Sequence, residues 1–293
     1  MASLTERRVE LATGLGYHVL EWDAPASDHT VLLLHGFLDF AWGFAPLVEA
    51  GLVGKAHIVA PDLRGHGDSD RVGPGGYYHF ADYLPDVHDL IAKVARKRLS
   101  IVGHSMGGSV ASYYAGTFPQ RVEKLVLLEG IGPPETPQPV GPERMASWIR
   151  GWERARSMGS RPYASLETAA ARLCEHDRLL PPDLALTLAE KGTELGGDGQ
   201  VRFKHDPVHA TLGPYGGFQF DVAARFWTKI TCPTLHVAGG SSEMQLAPAD
   251  VARRLGCFAR LTRVTVENAG HMMQRHAPFE LAALIAGFLE LPE

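Results

Sequence analysis

The sequence predicts an α/β fold: a mostly parallel eight-stranded sheet with helices on both faces and an inserted helical cap. Three observations predict it. Short, continuous apolar runs alternate with segments whose apolar residues recur at helical spacing, which implies strands joined by right-handed helical crossovers. The first two strand-like segments alternate apolar with polar residues, as a hairpin at one end of a sheet does. From about Pro133 to Thr228 the texture turns proline-rich, then helix-like and more charged, so an insert interrupts the alternation.

The elements follow in order. "RRVELATG" and "YHVLEWDA" form the hairpin, and "HTVLLLHG" is a continuous apolar run of the buried-strand type. A helix is expected around "AWGFAPLVEAGLVG", then the strand "AHIVAPD". "FADYLPDVHDLIAKVARK" places Leu84, Val87, Leu90, Ile91 and Val94 on one helical face. The strand "LSIVG" leads into the helix "GSVASYYAGTFPQR", and "VEKLVLLEG" is another buried strand. "PPETPQPVGP" reads as a linker into the cap, which holds Trp148, Trp152 and Trp227. Strand character returns at "CPTLHVAGG"; helix "DVARRLG", strand "RLTRVTVENAG" and helix "HAPFELAALIAGFLEL" close the chain. Residues 1–132 and 229–293 are thus the expected core and 133–228 the cap, with no internal repeat.

Composition is that of a globular protein, 45% hydrophobic and 21% charged. A net charge of −5 without like-charge blocks offers no electrostatic basis for binding nucleic acid or an anionic membrane. The three cysteines, Cys174, Cys232 and Cys257, match neither a disulfide framework nor a metal motif and read as buried thiols. "MASLTERRVELATG" lacks a signal-peptide apolar core, and no run approaches the ~18 apolar residues of a membrane span. The cytoplasm is the expected location.

The chemistry concentrates at "GHSMG", residues 103–107. Here G-x-S-x-G lies between a buried strand and a helix, where a strained turn lifts the Ser105 hydroxyl above the sheet. The helix that begins there turns its free N–H groups toward developing negative charge. A serine needs a base, and among fourteen histidines His271 is best placed, in the loop between the last strand and the last helix. His276 is the runner-up, although it falls at or in that helix. His104 adjoins the nucleophile, but neighbouring side chains on such a turn diverge. His205 and His209 have the i, i+4 spacing of metal ligands, yet no third ligand is evident, so a structural role is the better reading. Two backbone donors must hold the oxyanion; Met106 N–H supplies one and Phe37 N–H, in "HGFLD", the other.

These segments, with "PDLRGHGDS", "CPTLHVAGG" and "AGHMMQRHAP" in the same order, resemble the α/β-hydrolase fold over nearly the whole chain. The resemblance implies a Ser–acid–His triad beneath a helical cap, and a loop shaped by Asp62, Arg64, Gly65 and Gly67 without reactive groups. It also implies an acid after "CPTLHVAGG", where this chain carries Ser242. Glu243 stands one residue on, which in extended backbone points the other way. The other candidate is Glu129, at the end of the neighbouring strand, from which some members of the family take their acid. Glu129 follows four apolar residues and precedes Gly130, and a buried carboxylate demands a partner such as a histidine. Glu129 is therefore the first choice, Glu243 the second and Asp39 a third. "LLEG" also resembles a group of bacterial serine-hydrolase-like proteins.

A serine at the elbow argues against the dehalogenases and epoxide hydrolases of this fold, which need an aspartate there. The resulting expectation is a cofactor-free, metal-free serine carboxylesterase for small to medium acyl esters, monomeric or homodimeric. Related readings are a C–C bond hydrolase, thioesterase or lactonase on the same triad, a perhydrolase side activity, or a ligand-binding relative without turnover. "RMASWIRGW", "GPYGGFQFD" and "AARFW" could line an acyl pocket, although docking the cap is the more ordinary role for such aromatics.

Overall fold

A computed structural model describes residues 4–135, 141–211, 213, 217–244 and 246–292. Residues 136–140 of the proline-rich linker and 214–216 of "GPYGGFQFD" lie outside the described residues.

The antiparallel hairpin β1 (Leu4–Glu10) and β2 (Gly16–Trp22) opens the chain, followed by β3 (His29–Leu34). The helix expected over 41–54 is shorter: a 3-10 turn, Ala41–Phe44, runs into α1 (Ala45–Glu49). Gly51 and Gly54 both take positive φ there, which a right-handed helix cannot include. Next come β4 (His57–Pro61), α2 (Tyr83–Val94), β5 (Arg98–His104), α3 (Met106–Thr117) and β6 (Lys124–Leu128).

The stretch after β6 carries α4 (Pro142–Met158), β7 (Pro162–Tyr163), α5 (Leu166–His176) and α6 (Pro182–Gly192). It continues through β8 (Thr193–Leu195), β9 (Val201–Phe203) and α7 (Phe220–Trp227). The chain then adds β10 (Thr234–Gly239), α8 (Pro248–Leu255), β11 (Leu261–Val266), α9 (Met273–His276) and α10 (Pro278–Leu289).

The main sheet has eight strands in the order β1-β2-β4-β3-β5-β6-β10-β11, parallel from β4 onward. Because side chains alternate across a strand, β3 sends Leu32 and Leu34 into one core and Val31 and Leu33 into the other. The first core meets α2, α3 and α7; the second meets α1 and α10.

Within the expected helical cap, β7, β9 and β8 make a small antiparallel sheet that the sequence reading did not contain. Helices α5 and α6 build a separate small core beside it, around Ala169, Leu180, Ala185 and Leu188. Helix α7 lies within 133–228 yet packs on the main body. A Cβ at Gly116 of α3 would stand 2.3 Å from the Phe226 carbonyl oxygen, so only glycine permits this approach. Trp227 is fully buried there, and its indole N–H donates to Ser112 Oγ at 2.9 Å. Trp227→Ala should cost about 3–5 kcal/mol, read as a lower urea midpoint, and Trp227→Phe should cost less because it keeps most of the ring packing.

Candidate active site

The parallel strands end at one edge, and the loops there gather the residues singled out above. Ser105 sits between β5 and α3 with φ 51 and ψ −115, a conformation costing about 1–3 kcal/mol in a non-glycine residue. Two bonds hold the turn: Ser105 N–H donates to the Leu128 carbonyl, and Ser109 N–H to the Ser105 carbonyl. A Cβ at Gly107 would lie 2.1 Å from the Leu34 carbonyl oxygen, which explains glycine two residues after the serine.

Glu129 follows β6, also at positive φ (48). Its Oε2 accepts from His271 Nδ1 at 2.6 Å and from Ser242 Oγ at 2.8 Å, and its Oε1 accepts from Gly239 N–H at 2.9 Å. Burial alone would raise this carboxyl's pKa; the hydrogen bonds from His271, Gly239 and Ser242 outweigh it and hold the group below the usual glutamate range. Ser242, at the position where an acid was expected, is thus a donor to Glu129. Glu243 is exposed and makes no bond to His271 among the described residues. Asp39, the third candidate, pairs with Arg275 and accepts from Gln274 Nε2 at 3.5 Å, joining the Gly36–Asp39 turn to α9.

Ser105, Glu129, His271, Phe37 and Met106 all line one cavity of about 1240 Å³. Ser105 and His271 are not hydrogen-bonded to each other within it; such bonds often tighten only when substrate binds. The N–H groups of Phe37 and Met106 have no acceptor among the described residues, and Met106, first in α3, has no intrahelical partner. Leu38 takes positive φ (58) and donates its N–H to His66 Nε2 at 3.3 Å, while His35 Nδ1–H donates to the Gly36 carbonyl at 2.7 Å.

His104, His276 and His209 are tied into the surrounding structure. His104 Nε2–H donates to the His271 carbonyl at 2.9 Å, and burial pushes its imidazole well below the usual range. His276 Nδ1 accepts from Gly270 N–H at 3.1 Å, and its Nε2–H donates to Asp177 at 2.8 Å. A carboxylate between α5 and α6 thereby steadies the backbone just before His271. His209 stacks on Tyr78 at 3.7 Å and donates to the Arg64 carbonyl at 3.2 Å. Asp62 accepts from Ala41 N–H at 2.7 Å and Asp68 N–H at 2.9 Å, and Arg64 pairs with Asp86 at 2.6 Å. Gly65 and Gly67 supply that loop's positive φ angles.

Among the described residues, ligand-like geometry for a metal occurs at His18, Asp62 and Asp68; none of the three lines the cavity, and His18 already bonds Asp62 and Glu6 while Asp68 pairs with Lys204. All three cysteines are free thiols; Cys232 is buried, as expected, and Cys174 and Cys257 are only half-buried. Burial raises the Cys232 thiol to about 11.

A serine hydrolase-like protein of Danio rerio is 40% identical over 108 residues, which are 37% of this chain and 33% of that relative. The chain therefore spans about a third of that curated relative's length. Among solved structures, a thioesterase domain from the curacin biosynthetic pathway superposes with a TM-score of 0.84 at 25% identity, covering 97% of this chain and 99% of the other. E-2-(acetamidomethylene)succinate hydrolase gives a TM-score of 0.76 at 25% identity over 98% and 100% of the two chains. The family model described as "Alpha/beta hydrolase family" matches residues 31–284. With the eight-stranded sheet, the serine elbow and this match in agreement, the chain belongs to the α/β hydrolase family.

Proposed function

We propose that the chain is a serine carboxylesterase for small to medium acyl esters. The observation that carries the reading is the His271–Glu129 hydrogen bond of 2.6 Å, in the cavity that Ser105 enters from a strained turn. Ser105 Oγ attacks the acyl carbon while His271 takes its proton, and Glu129 stabilises the imidazolium. The Phe37 and Met106 N–H groups hold the oxyanion, an effect worth about 3 kcal/mol per donor. The tetrahedral intermediate collapses as His271 returns the proton to the leaving alcohol, and water then cleaves the acyl-enzyme by the same route. The stretch after β6, acting as a cap, supplies the walls above the nucleophile.

A second reading on the same triad, a thioesterase, is favoured by the likeness to the curacin thioesterase domain. Paired oxygen esters and thioesters of one acyl group separate the two by their kcat/KM ratio. No described helix is long and apolar enough to cross a membrane, and we place the protein in the cytoplasm. Labelling with a fluorophosphonate tests the mechanism class without a known substrate: the adduct should map to Ser105 and be lost in His271→Ala. An adduct elsewhere, or none, overturns the reading.

A further inference from the structure

The cavity that holds Ser105 continues past the catalytic edge, and this arm has no part in the mechanism above. Its floor is one face of β10 and β11, where His236 pairs in register with Arg263 and Ala238 with Thr265. Leu246 and Val251 add apolar lining. Two polar groups stand at its far end. His236 is only 3% exposed, and neither of its ring nitrogens has a hydrogen-bond partner among the described residues. Nδ1 is sealed from solvent, which leaves Nε2 as the nitrogen facing the cavity. A sealed N–H without an acceptor is rarer than a sealed lone pair, so the proton belongs on Nε2, a donor aimed into the arm. Arg263 is exposed, lines the same arm and has no ion pair among the described residues.

We propose that this arm is a subsite for a carboxylate at the far end of the substrate's acyl chain, received by the Arg263 guanidinium and the His236 Nε2–H. The proposal rests on the esterase reading above and names its substrate class. Burial, then the Arg263 charge, lower the His236 imidazole to about 4, so at neutral pH it donates uncharged and Arg263 supplies the positive charge. Two carboxylates of the chain face the arm. Glu129 is already held by three donors. Glu267 lies four residues beyond Arg263, about 13 Å along the strand direction.

Scale fits as well. His236 stands two residues down β10 from Ala238, which the register sets level with Ser105, and two strands from β5, about 7 Å along the strand and about 10 Å across. An occupant reaching from Ser105 therefore spans roughly 12 Å, which suits a medium-length chain. The balanced reaction is hydrolysis of an ω-carboxyacyl ester by water to a dicarboxylic acid and an alcohol, with the carboxylate unchanged.

The test compares nitrophenyl esters whose acyl chains end in carboxylate or in methyl, from the succinyl to the sebacoyl length. In the wild type the longer carboxylate-ended esters should have kcat/KM about tenfold above their methyl-ended counterparts, the worth of one charge-assisted contact. Arg263→Gln should remove that ratio and Arg263→Glu invert it. A wild-type ratio near one, or a ratio that survives both substitutions, overturns the proposal. If no ester of either kind is turned over, the esterase reading fails, and thermal shifts then judge the arm separately. Sebacate, but not decanoate, should stabilise the wild type and not Arg263→Glu; no such difference overturns the subsite.

Discussion

Glu129→Gln is expected to lower kcat toward a nitrophenyl ester by about 10⁴-fold, the loss seen when a triad acid is made neutral. The amide oxygen can still accept from Gly239, and the NH₂ can donate to Ser242 Oγ, so the loop should keep its shape. What it cannot do is stabilise a charged imidazole, and its NH₂ would favour the wrong His271 tautomer. Glu243→Gln should stay within about twofold, as surface substitutions do. The opposite ranking would transfer the acid's role to Glu243.

The same substitution has a signature in pH. A carboxyl whose folded pKa lies below its unfolded value adds stability that is complete above the unfolded value, about 4.3. That stability is lost as the pH falls through the lower folded value. The stability difference between wild type and Glu129→Gln, from urea midpoints, should therefore hold steady at neutral pH and shrink only in the acid range. A difference that persists unchanged into strong acid contradicts the pairing.

Ser105→Ala is expected to lower kcat on the order of 10⁶-fold, as is His271→Ala, and the double substitution should lose no more than either alone. Groups acting as one unit behave this way, because without the nucleophile the base has nothing to activate. Losses that multiply would mean the two residues serve separate steps.

Much of this was legible because the signals are local. Eight strand-like segments, the first two alternating, gave the eight strands of the main sheet, and the pattern around Ser105 needs only ten consecutive residues. Glu129 was legible for a different reason: a carboxylate closing the run "LVLL" has to find a partner. The small sheet of β7, β8 and β9 was not, since strands of two and three residues carry no periodicity. Nor was the service Ser242 performs, because the sequence shows a missing carboxylate and not the hydroxyl's new acceptor. His236 had a signal that went unused, a lone histidine inside the apolar strand "TLHVAG". Asp177 had none, being 99 residues from His276 in the chain.

That last pair bears on how the protein can be re-engineered. Asp177 belongs to the stretch after β6, between α5 and α6, whereas His276 ends α9, just past the loop that holds His271. Exchanging that stretch for one from another hydrolase, an obvious route to new selectivity, would also strip His276 of its carboxylate. A transplant that succeeds here must bring an acceptor to the same place, or accept a looser histidine as the cost of a new pocket.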